Sequence, residues 1–249
     1  MVKLKIKLLI ISMAFAFSSY AQGFKSMDYG ISLTPYLKDN LSITNATGNH
    51  VLYSKPVVSG ELSIFYELPL KYDIGLRLAA GIAYDPQNMG FKETEFQLPN
   101  NILTSSSFNN TEYSFFNKYV LPISLFKRLP LEKHTLNIEV GLKWNKFLNY
   151  PYSSEGSLTE SNNTLVFVSR MESIHSNSTF LSYFTKLGLV KSIKKHQLVV
   201  NLVVNYSPQH IAEGNFNFYH LKNGSSGGKL KQNLNFIGME LSYSLPTLK

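Results

Sequence analysis

Between Arg170 and Ser178 a guanidinium, the Glu172 carboxylate, the His175 imidazole and the hydroxyls of Ser176 and Ser178 lie close together in the chain. Serine-type acyl chemistry needs a base beside a hydroxyl and a carboxylate that orients the base, so this segment is the candidate for a nucleophilic site. The opposing consideration is that it sits in a long polar connection, where a histidine is ordinarily just solvated. The other histidines, His50, His134, His196, His210 and His220, show no metal-ligand spacing, and the His210/His220 pair straddles a polar stretch. With no cysteine in the chain there is no thiolate ligand, thiol nucleophile or disulfide framework. No phosphate-binding glycine loop or paired-carboxylate site stands out. The expectation is a protein with no catalytic residue, no metal and no cofactor.

A second set of charges has a different pattern. Glu61, Arg77, Glu139, Lys143, Lys186 and Glu240 each alternate with apolar residues. In "HTLNIEVGLKW" Leu136, Ile138, Val140, Leu142 and Trp144 share one face, and Asn137, Glu139, Gly141 and Lys143 the other. Period two of this kind is a strand with one apolar wall. Acids and bases balance among the six, and eight strands enclose an interior that side chains can just fill. A buried ion without a partner costs several kcal/mol, so these residues are predicted to pair across a lumen.

Eight such strands are predicted: Asp28 to Leu37, Pro56 to Leu68, Asp73 to Tyr84, Glu112 to Lys127, His134 to Trp144, Thr179 to Val190, Gln197 to Ser207 and Leu230 to Leu245. They alternate between tight turns and long connections rich in Asn, Ser, Thr and Gly. Short turns at one end and long loops at the other are the pattern of an antiparallel transmembrane barrel, with turns periplasmic and loops extracellular. A soluble sandwich or lipocalin-like barrel also alternates. Against it stand strands longer than the usual ~5 to 6 residues and the placement of aromatics at strand ends. Tyr84, Tyr113, Trp144, Tyr183 and Tyr206 gather toward the loop end and Tyr29, Tyr66 and Tyr243 toward the turn end, as two interfacial girdles. Pro122 inside the fourth strand predicts a bulge. "TLVFVSRMESI" (Thr164 to Ile174) is open to two readings: a strand extending above the membrane, or part of a ten-stranded barrel.

Residues 1–21 have the build of a secretory signal: Lys3, Lys5 and Lys7, an apolar run from Leu8 to Phe17, then small residues before Ala21. The apolar run is shorter than the ~20 residues a spanning helix needs. Residues 22–249 are then one barrel domain. Without the three lysines, the formal excess of bases over acids falls from eight to five. The basic tracts "FKRLPLEKH" and "KSIKKHQ" are expected at tight turns as solvated residues. Dispersed charge of this size argues against nucleic acid as a partner.

In the last strand Gly238, Leu241 and Tyr243 have the glycine-x-x-apolar-x-aromatic spacing that resembles the assembly signal read by barrel-insertion machinery. His175-Ser176-Asn177-Ser178 faintly resembles, in a different order, the His-x-Ser-Asn element of outer-membrane lipid A deacylases, which implies lipid modification as an alternative activity. At "NKYVLPISLFKRLP" (Asn117 to Pro130) and "HTLNIEVGLKWNKFL" (His134 to Leu148) the chain resembles the small outer-membrane barrels of Bacteroidetes-type bacteria that include PorT-like proteins. Pro122 fills the proline position of that family's Tyr-x-x-x-Pro element and Gly141 its central glycine, while Tyr119 falls one place short. The resemblance implies an outer-membrane barrel and, for PorT itself, an accessory part in secretion. The leading expectation is a non-enzymatic outer-membrane barrel with a plugged lumen. Its partners would be outer-membrane lipids, the insertion machinery and whatever its outer loops contact. The alternatives are a secretion or envelope-assembly accessory working through its turns, a narrow pore lined by the same charges, and a lipid A-modifying enzyme.

Overall fold

The computed structural model describes residues 28–38, 41–45, 52–99, 102–112, 117–132, 134–148, 153–160, 163–174, 178–193, 196–222 and 224–245. Its barrel strands are β1 (Asp28–Lys38), β4 (Val58–Pro69), β5 (Ile74–Tyr84), β8 (Lys118–Pro130), β9 (Thr135–Phe147), β12 (Thr179–Ile193), β13 (His196–Tyr206) and β16 (Phe236–Leu245). They close in the order β1-β16-β13-β12-β9-β8-β5-β4, all antiparallel. β1 pairs on one side with β4 and on the other with β16, so the first and last strands complete the cylinder.

The face of each strand follows from its sequence period. On β9 the buried residues include Asn137, Glu139, Lys143, Asn145 and Phe147, while Val140, Leu142 and Trp144 are exposed. On β4, Ser59, Glu61, Ser63, Phe65 and Glu67 are buried and Val58, Leu62, Ile64 and Tyr66 exposed. Ile64 is 61% exposed and Glu139 1%. The barrel is thus inside out by the standard of a soluble protein.

Several boundaries differ from the sequence reading. The predicted fourth strand begins at Lys118, because Glu112 ends the separate strand β7 (Ile102–Glu112). The last barrel strand begins at Phe236, since Leu230 to Gln232 close β15 (Gly224–Gln232). Amide side chains cap that break: Asn235 Oδ1 accepts from the Ser207 N–H at 2.7 Å, and Asn205 Nδ2 donates to the Leu234 carbonyl at 2.7 Å. The bulge expected at Pro122 is absent. Pro122 pairs with Lys143, and the register with β5 is the same on both sides of a gap opposite Ala79 and Ala80. A missing N–H is accommodated by interrupting one ladder, with no extra residue inserted.

The long connections, read as loops, are strands. β2 (Ser42–Asn45), β3 (Leu52–Tyr53), β6 (Gln87–Leu98), β7, β10 (Ser153–Thr159), β11 (Leu165–Ser173), β14 (Ala212–Leu221) and β15 form a second sheet. Its main path is β10-β11-β14-β15-β2, and β6 joins it through Leu221 and Phe96 while carrying β3 and β7. The segment left open between two readings is therefore β11 of this sheet, and the barrel has eight strands. The sheet has an ordinary apolar core: Phe91, Phe167 and Phe218 stand 4.8 to 5.3 Å apart by ring centroids, with Phe96, Phe216 and Ile211 packed around them. Phe147 and Phe180 belong to the same cluster, so this head is continuous with the loop end of the barrel.

Candidate functional site

All the inward charges lie on the period-two face that begins with Glu61 on β4 and Arg77 on β5, and they meet in layers along the axis. Toward the turn end, Arg128 on β8 pairs with Glu67, whose carboxylate also lies 3.8 Å from Arg77. At mid-barrel Arg77 Nη1 is 3.2 Å from Glu240 and 3.5 Å from Glu139, while its Nη2 donates to Ser242 Oγ at 3.0 Å. Lys186 bridges the same two acids, at 2.9 Å from Glu139 and 2.8 Å from Glu240. Phe65 stacks beneath the Arg77 guanidinium at 3.8 Å, a cation–π contact in a dry setting. One layer up, Lys143 donates to Glu61 at 2.6 Å. At the loop end Asp85, just beyond β5, receives Lys118 and the Tyr36 hydroxyl, with Lys38 4.0 Å away.

These layers join all six sequence-predicted charges. Glu67, Arg128, Asp85, Lys118, Lys38 and Tyr36 were missed, although each continues the inward period of its own strand by a step or two. Arg128 in particular was expected as a solvated turn residue. It lies within β8, and its pairing with Glu67 leaves the side chain 18% exposed. Little space remains at this level of the barrel. The open space among Glu61, Arg77, Glu139, Lys143, Lys186 and Glu240 is about 10 Å³, room for about one water molecule.

Burial alone would raise the Asp85 carboxyl, but Lys118 and Lys38, with the hydrogen bonds from Lys118 and Tyr36, outweigh it and hold the group below its ordinary range. It stays ionised under its two lysines at the joint between barrel and head.

On the outer wall, Tyr84, Trp144, Tyr183 and Tyr206 are exposed in the loop-end half, joined there by Tyr119. Tyr66, Tyr243 and Tyr29 occupy the turn end, where Tyr29 and Tyr66 are register partners with rings 6.2 Å apart. Tyr243 stacks on His196 and bonds its Nδ1 at 2.8 Å. Tyr113 lies outside the described residues.

In the last strand Leu241 and Tyr243 point outward, and Gly238 has a packing reason of its own. A Cβ there would come within 2.5 Å of the Tyr36 Cβ and 2.6 Å of the Pro35 carbonyl. Gly238 and Tyr36 are register partners, so only glycine lets β1 and β16 close.

Of the trial nucleophilic group, Arg170, Glu172 and Ser178 are among the described residues. Arg170 and Glu172 pair with each other at 2.7 Å in the open, and the Ser178 carbonyl accepts from the Phe147 N–H. His175 and Ser176 lie outside the described residues, as do Lys194 and Lys195 of one turn and the signal-like segment of residues 1–21.

No family model matches the chain, and no curated protein matches it. Among solved structures it is similar to a major outer membrane protein from Thermus thermophilus, with TM-score 0.43, 12% identity, and 89% of this chain and 100% of that one covered. It is also similar to the outer membrane protein OprG from Pseudomonas aeruginosa, with TM-score 0.41, 10% identity, and 89% and 95% covered.

Proposed function

We propose that the chain is a non-enzymatic protein of the Gram-negative outer membrane. In this account a closed barrel is the anchor, and the β-rich head is held outside the cell to contact external ligands or surfaces. The observation that carries this is the inversion of the barrel: exposed leucine, isoleucine and valine side chains form its outer wall, and charged and amide side chains its centre. Such a wall is stable against hydrocarbon and unfavourable in water. Strands of 10 to 15 residues match the ~9 to 11 a tilted strand needs to cross a bilayer. The chain ends of the barrel and its tight turns share one end, and the head occupies the other, which suits periplasmic turns and an extracellular head.

The secretion role implied by the PorT resemblance would have to use the turn end. Arg128 there is committed to Glu67, and the bulk of chain outside the barrel stands at the opposite end. The head is therefore the part we assign to contact.

Two measurements test the proposal. The processed protein should co-sediment with outer membranes and migrate faster on gels unless boiled; recovery in the soluble periplasmic fraction would reject the location. In planar bilayers it should show no steady conductance above background, and a stable open level would reject the plugged lumen.

A further inference from the structure

The outer wall of the barrel is nearly free of charge. Among the described barrel strands, the outward rows hold no carboxylate and carry Lys127 and Lys191 toward the turn end and Lys146 toward the loop end. Lys146 is the register partner of Tyr119 on β8 and of Thr179 on β12, and Trp144 and Leu148 flank it on the same face. Next to it the wall is indented. Leu33, Leu62, Ile82, Tyr84, Tyr119 and Leu148 border a groove of about 520 Å³. Gly60 makes part of the indentation: a Cβ there would meet nothing within 4 Å. The groove is continuous with the exposed apolar belt and reaches the loop-end aromatic row.

We propose that this groove holds an acyl chain of an anionic phospholipid from the loop-end leaflet, with the Lys146 ammonium on the lipid's phosphate. The inference rests on the membrane account above. The lining is mostly apolar, with Asn117 and the buried Glu61 and Lys118 as its polar members, and suits a hydrocarbon chain. A lysine can lay its methylene stem along that lining and lift its charge to the headgroup level. With no acid on the outward rows to neutralise it, the charge is complementary to an anionic headgroup.

The single tryptophan of the chain, Trp144, lies two residues from Lys146 and reports on lipid at this spot. The full-length processed protein is reconstituted in phosphatidylcholine vesicles containing equal fractions of either dibrominated phosphatidylglycerol or dibrominated phosphatidylcholine, and quenching of Trp144 is compared. Brominated phosphatidylglycerol is expected to quench as though enriched about fivefold, the effect of one lysine on an anionic lipid. Lys146→Gln should abolish that enrichment and Lys191→Gln should keep it. Gly60→Leu, which fills the groove, should also lower it while heat-modifiable migration shows the barrel intact. Equal quenching by the two lipids, or a preference that survives Lys146→Gln, would overturn the lipid site and leave the membrane account standing. Absence of quenching by either lipid would overturn both.

Discussion

Glu240 is the residue on which the lumen depends most, because Arg77, Lys186 and the amide of Asn201 all converge on it. Glu240→Ala leaves two buried cations short of an acid, a change worth about 3–5 kcal/mol. The unfolding midpoint in detergent micelles should fall accordingly. Arg170→Ala removes an ion pair of similar length from the exposed sheet, and that change should stay within about 1 kcal/mol. Asp85 adds a pH signature. Its folded pKa lies below its ordinary value of about 3.9. Its contribution is therefore fully present above that value and is lost as pH falls through the lower folded one. Thermal stability should decline over that acid window, and Asp85→Asn should lower stability at neutral pH and flatten the decline. The six charges legible in the sequence were those in the middle of clear alternations. Asp85 escaped because it sits where strand and connection meet, and alternation alone does not mark that boundary.

At the scale of elements, the barrel strands were readable because their outward-facing positions are mostly Leu, Ile, Val or aromatic. The head strands were not. β10 and β15 are built largely from Ser, Gly, Thr and Lys, which are typical of turns, and each brings a single leucine to the core, Leu158 and Leu230, too few to show a period. Phe216 and Phe218 on β14, two apart, and Phe91 and Phe96 on β6 were the available signal; both faces carry so many amides and hydroxyls that the period is diluted. The two sheets are expected to be separable in stability. Each barrel strand already has both neighbours within the cylinder, so the barrel does not need the head for its hydrogen bonds. Phe91→Ala should destabilise the head by about 3–5 kcal/mol, seen as earlier protease cleavage between β6 and β7. Replacing residues 87–112 with a short turn should still give a heat-modifiable barrel. Loss of barrel migration in that variant would show that the two fold as one unit.

The whole molecule joins two solvation regimes along one axis: an apolar-cored sheet suited to water, and a polar-cored cylinder suited to hydrocarbon. The absence of cysteine makes the boundary directly measurable. Single cysteines carrying nitroxide spin labels can be placed one at a time from Ile138 to Trp144 on β9, in the reconstituted protein. Collision rates with oxygen, which dissolves in lipid, and with a water-soluble nickel complex are then compared. High oxygen and low nickel accessibility are expected at Ile138, Val140 and Leu142, with low accessibility to both at Glu139 and Lys143. Nickel accessibility at Ile138, Val140 and Leu142 matching that of exposed head positions would contradict this expectation.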